Sequence, residues 1–549
     1  MKLRRSLRFT IASASILGLF ASPAQATVYP GFPINDNRVA FTVEDLVSNP
    51  YSFIANNSLR RAVQAGTTVE TPEATIFCDE FNQRGCNLDA NADLVVNSVI
   101  PACADAIENC IKSLEFVRSD GTIAKAKFVR YFKGKTFKGP EELGMPGGSR
   151  PSLWEAPGVT NGGGTDQYVV NTIVNWNYFK GSASVINFNA SVYAIKGNTD
   201  ARFTEPKIYV GPAAYGVFAS VTESGEITYD GSCVATEVGF CAERADFAPN
   251  TRIKLTLQLS NKVTGWLHGR IAKPDITVAP INNLYNTLSV EADTVDVPMM
   301  YGQFNKADMT AEFLDTFDKT QRLGRGKVVE SFWTQFYPES RFASTLITTF
   351  AEKVGNKATG VNGFWNLSSI YNNSDNKCLN DASKLVGFVT TNAMAYSGSA
   401  PAWDGQTLEY KVAGLHLLPD GKTPASGSYD LAIRSDAARC LYGFTSAPIS
   451  ATVSVTSADG QPKVATTVLN EKNGWLYLAA YGFSFSAPTI KIKLSQEKAA
   501  EPTASATPSP TPSPTATKAA IKTIKCVKGK TVKTVKGVKP KCPAGYKSK

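Results

Sequence analysis

Ile253-Lys254-Leu255-Thr256-Leu257-Gln258-Leu259-Ser260 decides the fold class, because apolar and polar residues alternate there without a break for eight positions. Only an extended strand, whose successive side chains point to opposite faces, sends one such set to a core and the other to water. The same period recurs on either side. Ile186, Phe188, Ala190, Val192 and Ala194 alternate with Asn187, Asn189, Ser191 and Tyr193. Further on, Ala451, Val453 and Val455 alternate with Thr452, Ser454 and Thr456, and Ile490, Ile492 and Leu494 with Lys491 and Lys493. These read as antiparallel strands with one wet face. Turn residues lie between them at Ser119-Asp120-Gly121, Ser224-Gly225, Pro419-Asp420-Gly421, Asp459-Gly460 and Asn473-Gly474, offering the positive or preset φ of tight turns. The pattern predicts a mainly β chain, a multi-domain antiparallel β-sandwich (Ig-like) architecture, rather than βαβ units.

One stretch departs from the period of two. Over residues 338–354, Phe342, Leu346, Ile347, Phe350 and Val354 form a helical stripe, Pro338 and Glu339 suit its start, and Gly355 suits a C-terminal cap. A shorter helix is expected at 309–318, which makes a small α+β region near 301–378. The domains expected are an N-terminal disulfide-containing β-rich domain at 27–150 and a β-rich domain at 151–300, parted by the Gly- and Pro-rich run 144–164. A small mixed region at 301–384 and a C-terminal β-sandwich at 385–497 come after them.

The two ends differ from this body. Residues 1–26 carry Lys2, Arg4, Arg5 and Arg8, an apolar run from Phe9 to Phe20, and Ala24-Gln25-Ala26, the pattern of a signal peptide cleaved before Thr27. The run is shorter than the roughly 20 residues of a membrane span, and no later stretch qualifies, so no transmembrane segment is expected in the mature chain. Residues 498–520 are rich in Pro, Ser, Thr and Ala, an extended, disordered linker. Residues 521–549 form a Lys-rich tail closed by Cys526 and Cys542.

Charge is partitioned sharply between these parts. The chain holds 57 basic and 47 acidic residues; eleven lysines and no acidic residue lie in 518–549. With those and the leader's four set aside, 42 basic residues face 47 acidic ones, and the body carries −5. The residues expected to touch a polyanion are therefore Lys525, Lys528, Lys530, Lys533, Lys536, Lys539 and Lys541, and no specific nucleic acid is expected.

Ten cysteines fall in neighbouring twos: Cys78 and Cys86, Cys103 and Cys110, Cys233 and Cys241, Cys378 and Cys440, Cys526 and Cys542. In an exported chain these are disulfide candidates. Connectivity among the first four stays open, because a continuous helix over 103–110 would hold those α-carbons about 10 Å apart, too far to bridge. The tail pair has no nearby rival, and closing its loop contributes about 3 kcal/mol.

Motifs for chemistry are sparse. Asp89, Asn91 and Asp93 place alternate oxygen ligands as a calcium loop does, but Leu94 and Ile100 stand where glycine and the bidentate glutamate belong; no metal and no cofactor is expected. Gly529-Lys530-Thr531 imitates the end of a phosphate-binding loop without the glycine five residues earlier. No Gly-x-Ser-x-Gly occurs, and His268 and His416, the only histidines, have no acidic neighbour in sequence. Glu291, Asp293 and Asp296 are the densest carboxylates in the body, either a solvated strand edge or part of a glycosidase pair. Of seven tryptophans, Trp403 beside Asp404-Gly405 is the one expected at the surface.

Residues 356–360, Asn-Lys-Ala-Thr-Gly, 389–394, Val-Thr-Thr-Asn-Ala-Met, 438–444, Ala-Arg-Cys-Leu-Tyr-Gly-Phe, and 526–530, Cys-Val-Lys-Gly-Lys, carry a resemblance. They resemble uncharacterised secreted proteins of actinobacteria with a C-terminal Lys-rich Cys-pair tail. The resemblance implies export in a Gram-positive setting and brings no activity. The expectation is a secreted protein, extracellular or non-covalently cell-wall associated. It would be a non-catalytic envelope or extracellular binding and adhesion-type protein, held by its tail to anionic cell-wall polymer, the ligand of its body unknown. The alternatives are a secreted polysaccharide hydrolase with carboxylates not identified and a surface-layer structural protein.

Overall fold

The computed structural model of the protein describes residues 38–43, 45, 58–61, 77–83, 85–89, 92–104, 108–132, 136–199, 207–211, 214–221, 227–228, 233–237, 240–305, 307, 311, 332–336, 338–339, 343–372, 374–446, 448–456, 462–463, 466–485, 489–496 and 521–549. The signal peptide, the linker 498–520, the turns at 224–225 and 459–460 and the short helix at 309–318 expected from the sequence lie, apart from Ala311, outside the described residues. Two compact units divide the chain, 1–497 and 498–549.

The first unit is mainly β, as its alternation predicts, and is organised about one 15-stranded sheet. Across its middle the order is Gln167–Phe179, Ser182–Asn198, Asn366–Ile370, Gly265–Arg270, Leu385–Thr391, Ser426–Arg434, Trp475–Ser484. All these neighbours are antiparallel except Gly265–Arg270 and Leu385–Thr391, which run parallel. Hydrogen-bonded ladders thus cross the domain borders expected near 300 and 385. The border near 150 is crossed as well, since Ser152–Glu155 pairs with both Lys127–Tyr131 and Gln167–Phe179.

Two smaller sheets cover the large one. A five-stranded sheet built on Arg252–Ser260 and Tyr285–Asp293 packs Leu255, Leu257 and Val290 against Val174, Trp176 and Phe388. A six-stranded sheet containing Leu408–Ala413, Ser450–Thr456 and Thr489–Ser495 packs Tyr410, Val412 and Ile490 against Val389, Leu431 and Leu478. Adjacent residues of the shared strands enter different cores: Leu267, Ala432 and Trp475 the first, Trp266, Leu431 and Leu476 the second. Because side chains alternate along a strand, these strands are buried on both faces. The wet face read from the alternating stretches has no counterpart here, and Leu385–Thr391 is buried along its whole length.

The decisive stretch behaves as read: Ile253, Leu255, Leu257 and Leu259 are buried. In Ser182–Asn198 the alternation breaks at Ile186, which is 55% exposed. A β-bulge explains this, since Val185 pairs with Trp176 and Asn187 with Asn175, leaving Ile186 unopposed.

Near 301–378 the expected mixed region is present. Val295–Asn305 pairs with Arg38–Val43 and Gly360–Phe364, and Phe332–Phe336 runs parallel to Arg38–Val43. The helix is shorter than expected, Ala343–Phe350, with Leu346, Ile347 and Phe350 buried against Val43, Met300 and Met394. A 3₁₀ turn, Glu352–Val354, and Gly355 at φ 67° complete it; tightening the last turn is how a helix end pairs its remaining carbonyls.

Four disulfides are described: Cys78–Cys86, Cys103–Cys110, Cys378–Cys440 and Cys526–Cys542. Cys110 opens the strand Cys110–Val117 instead of ending a helix, which brings its α-carbon within 4.8 Å of that of Cys103. Cys241 is disulfide-bonded too; the side chain of Cys233 lies outside the described residues.

Candidate functional site

Two places concentrate charge. The first is the second unit, where Lys522–Lys528 and Thr531–Gly537 form a hairpin and Lys547–Ser548 adds a third strand to the first. Gly529-Lys530 is its two-residue turn, with Gly529 at φ 57°, so the imitation of a phosphate loop is turn chemistry. Cys526 is the one fully buried side chain of 521–549 and is bridged to Cys542; Lys533 Nζ stands 5.4 Å from the Tyr546 ring centroid. All seven lysines named from the sequence are exposed, as are Lys522, Lys547 and Lys549, and no acidic side chain lies among residues 521–549. A compact cross-linked unit therefore displays ten ammonium groups with no side-chain counter-charge of its own.

The second place is a cleft of about 670 Å³ in the first unit. Asp246 follows the strand Phe240–Ala245, Asp293 and Asp296 flank the step from Tyr285–Asp293 to Val295–Asn305, and Lys273, Ser428 and Tyr481 are among the other polar residues of the lining. Asp293 is held by Arg252 at 2.8 Å and Lys273 at 3.1 Å, and Glu291 by Arg252 at 2.7 Å. Two of the three clustered carboxylates are thus ion-paired; the third, Asp296, lines the cleft. Burial and the neighbouring charge of Asp246 push its carboxyl above the usual range. Behind the wall, Tyr481 donates to Asp430 Oδ1, while the Thr390 hydroxyl and the Lys273 N–H donate to Oδ2 at 3.1 and 3.3 Å. Burial lifts Asp430 to about 6 against these three donors. The Ser428 hydroxyl has no hydrogen-bond partner among the described residues.

Other sequence candidates are not gathered into a site. Asp89 lies in a bend, Asp93 opens the strand Asp93–Val99, and Asn91 is outside the described residues; among the described residues no three His, Cys, Asp or Glu side chains cluster as metal ligands. His268 is buried and stacks on Tyr396 at 3.8 Å between centroids, and burial together with Arg270 holds its pKa well below the ordinary value. His416 sits in a loop with Nδ1 3.0 Å from the Asn356 amide. Trp403, expected at the surface, is half-buried and meets Tyr442 edge-on at 4.7 Å. Its strand pairs it with buried Leu408, which turns it toward the core.

Asp246, Lys273, Asp430 and Tyr481 escaped sequence reasoning, and no local signal marks them. Comparison with protein-family models and with curated proteins finds no match. No helix among the described residues is long and apolar enough to cross a membrane.

Proposed function

We propose that the chain is an exported, non-catalytic binding protein of the cell envelope or its surroundings, retained by its C-terminal unit on anionic wall polymer. The observation that carries this reading is the second unit itself, ten exposed lysines on a disulfide-closed hairpin, attached to a body of net charge −5. Several disulfides and the pattern of residues 1–26 suit secretion. Contact of this kind proceeds by counterion release and weakens steeply with salt. The test compares cells producing the full chain with cells producing a chain ending at Gln496. Retention of the full chain at low salt, its release by a salt gradient and no retention of the shorter chain are expected. Equal retention of both rejects the reading.

The cleft favours a second reading, a polysaccharide hydrolase. Asp296, whose carboxyl burial and the charge of Asp246 push up, lines the cleft together with Asp246, and two carboxylates in one cleft are what such hydrolysis requires. Release of reducing ends from envelope glycans, abolished in both Asp296→Asn and Asp246→Asn, would establish it over the first.

A further inference from the structure

The hairpin of the second unit presents lysines on both of its faces. Side chains alternate along Lys522–Lys528, so Lys522 and Lys528 share a face with Ile524 and Cys526, whereas Lys525 lies on the other with Thr523 and Val527. Across the ladder Cys526 is opposite Lys533, and Thr523 is opposite Lys536. Lys533 therefore joins the first face and Lys536 the second. The cause lies in the spacing: lysine recurs every third residue at 522, 525 and 528, and again at 533 and 536, while strand side chains change face at every residue. Lys530 in the turn and Lys539 and Lys541 in the closing segment are exposed as well.

We infer that the partner of this unit is a linear, flexible polyanion that passes round the hairpin, and not the flat surface of an anionic bilayer. The inference rests on the reading of the unit as the retention device. A plane meets one face at a time. The other face then stands about 10 Å away, the spacing of stacked sheets, which equals or exceeds the Debye length of about 8–10 Å at physiological salt. Its lysines add little to adhesion on a plane, whereas a chain that bends round the edges neutralises both sets. Ile521, Val532 and Val538 are 72%, 57% and 50% exposed, and they make a bilayer the competing partner to be tested.

The full chain and two double variants, Lys525→Gln with Lys536→Gln and Lys522→Gln with Lys528→Gln, are titrated against immobilised poly(glycerol phosphate) over a salt series. The same proteins are titrated against phosphatidylglycerol vesicles at equal phosphate concentration. Tighter binding to the polymer is expected, and each pair should lower the slope of log K against log salt by about 1.4–1.8, at 0.7–0.9 per lysine. Arginine at the same positions should restore the slope, which separates charge from folding. Loss confined to one pair, or tighter binding to vesicles, overturns the two-faced assignment. Unchanged polymer binding after deletion of residues 498–549 instead rejects the tail as the retention device.

Discussion

Arg270 is fully buried, and Asp45, 225 positions away in the chain, accepts from its Nε at 2.9 Å and its Nη2 at 2.8 Å. Its Nη1 donates to the carbonyls of Thr391 and Ala393, and the guanidinium lies 4.7 Å from the Tyr396 ring centroid. Such an ion pair is weak evidence for net stability, yet removing one member leaves the other charge desolvated. Arg270→Met is expected to cost about 3–5 kcal/mol in urea unfolding, and Arg270→Met with Asp45→Asn less than the single change; a single-variant cost under about 1 kcal/mol contradicts this. Asp430 makes a pH prediction. Its pKa of about 6 exceeds the ordinary 3.8, so the folded state holds this proton more tightly, and the stability it confers is present below pH 4 and lost as pH rises through 6. Between pH 4 and pH 7 the stability of Asp430→Asn relative to the parent should improve by about 2 kcal/mol; a constant difference would show that Asp430 does not titrate there. Asp404 and Asp420 act in the opposite sense. Held at about 2 chiefly by the Thr407 N–H and by the Thr423 hydroxyl, they lose their stabilising contribution only as pH falls below 4.

At the scale of elements, the disulfide Cys378–Cys440 fastens the helix Ser435–Tyr442 to the segment after Asn366–Ile370, closing 62 residues of chain. Loop-closure entropy gives such a link about 4 kcal/mol, and the double change to serine should lower stability by up to that amount without altering the fold. Gly387 is a sharper case, because a β-carbon there would lie 2.2 Å from the Trp266 ring. Gly387→Ala should cost about 1–3 kcal/mol or more, measured by thermal unfolding, as overpacked cores do. These elements also show where sequence reading stops. Alternation found Arg252–Ser260, Ser450–Thr456 and Thr489–Ser495 because each has a face turned from the core. It gave no period for Leu385–Thr391, whose two faces enter different cores, and no warning of the bulge at Ile186. The lysine unit was legible because its side chains stay at the surface, where composition alone describes them. The cleft was not, since Asp246, Asp296, Ser428 and Tyr481 are separated by up to 235 positions and meet only through sheet order. The carboxylates that looked clustered, Glu291 and Asp293, are occupied by Arg252.

For the molecule as a whole, the large sheet makes residues 27–300 dependent on the chain beyond residue 300. Trp365, Leu367, Phe388, Ala432 and Trp475 belong to the same core as Leu255 and Trp176, so a fragment ending at 300 lacks part of its own interior. Such a fragment should show strand-rich far-ultraviolet dichroism, weak near-ultraviolet dichroism and binding of hydrophobic dye, whereas a cooperative melt would contradict the shared core. The place of Gly265–Arg270 between Asn366–Ile370 and Leu385–Thr391 has a consequence in time. A ribosome completes this strand about a hundred residues before either neighbour exists, and until then both its edges are open. Closure across such separations is slow, and open edges recruit other chains. For a chain threaded outward unfolded, the same delay is useful: Gly265–Arg270 has no partner on either edge before residue 366 has been made and none on its second edge before residue 385, so the middle of the large sheet stays open while the rest is translated.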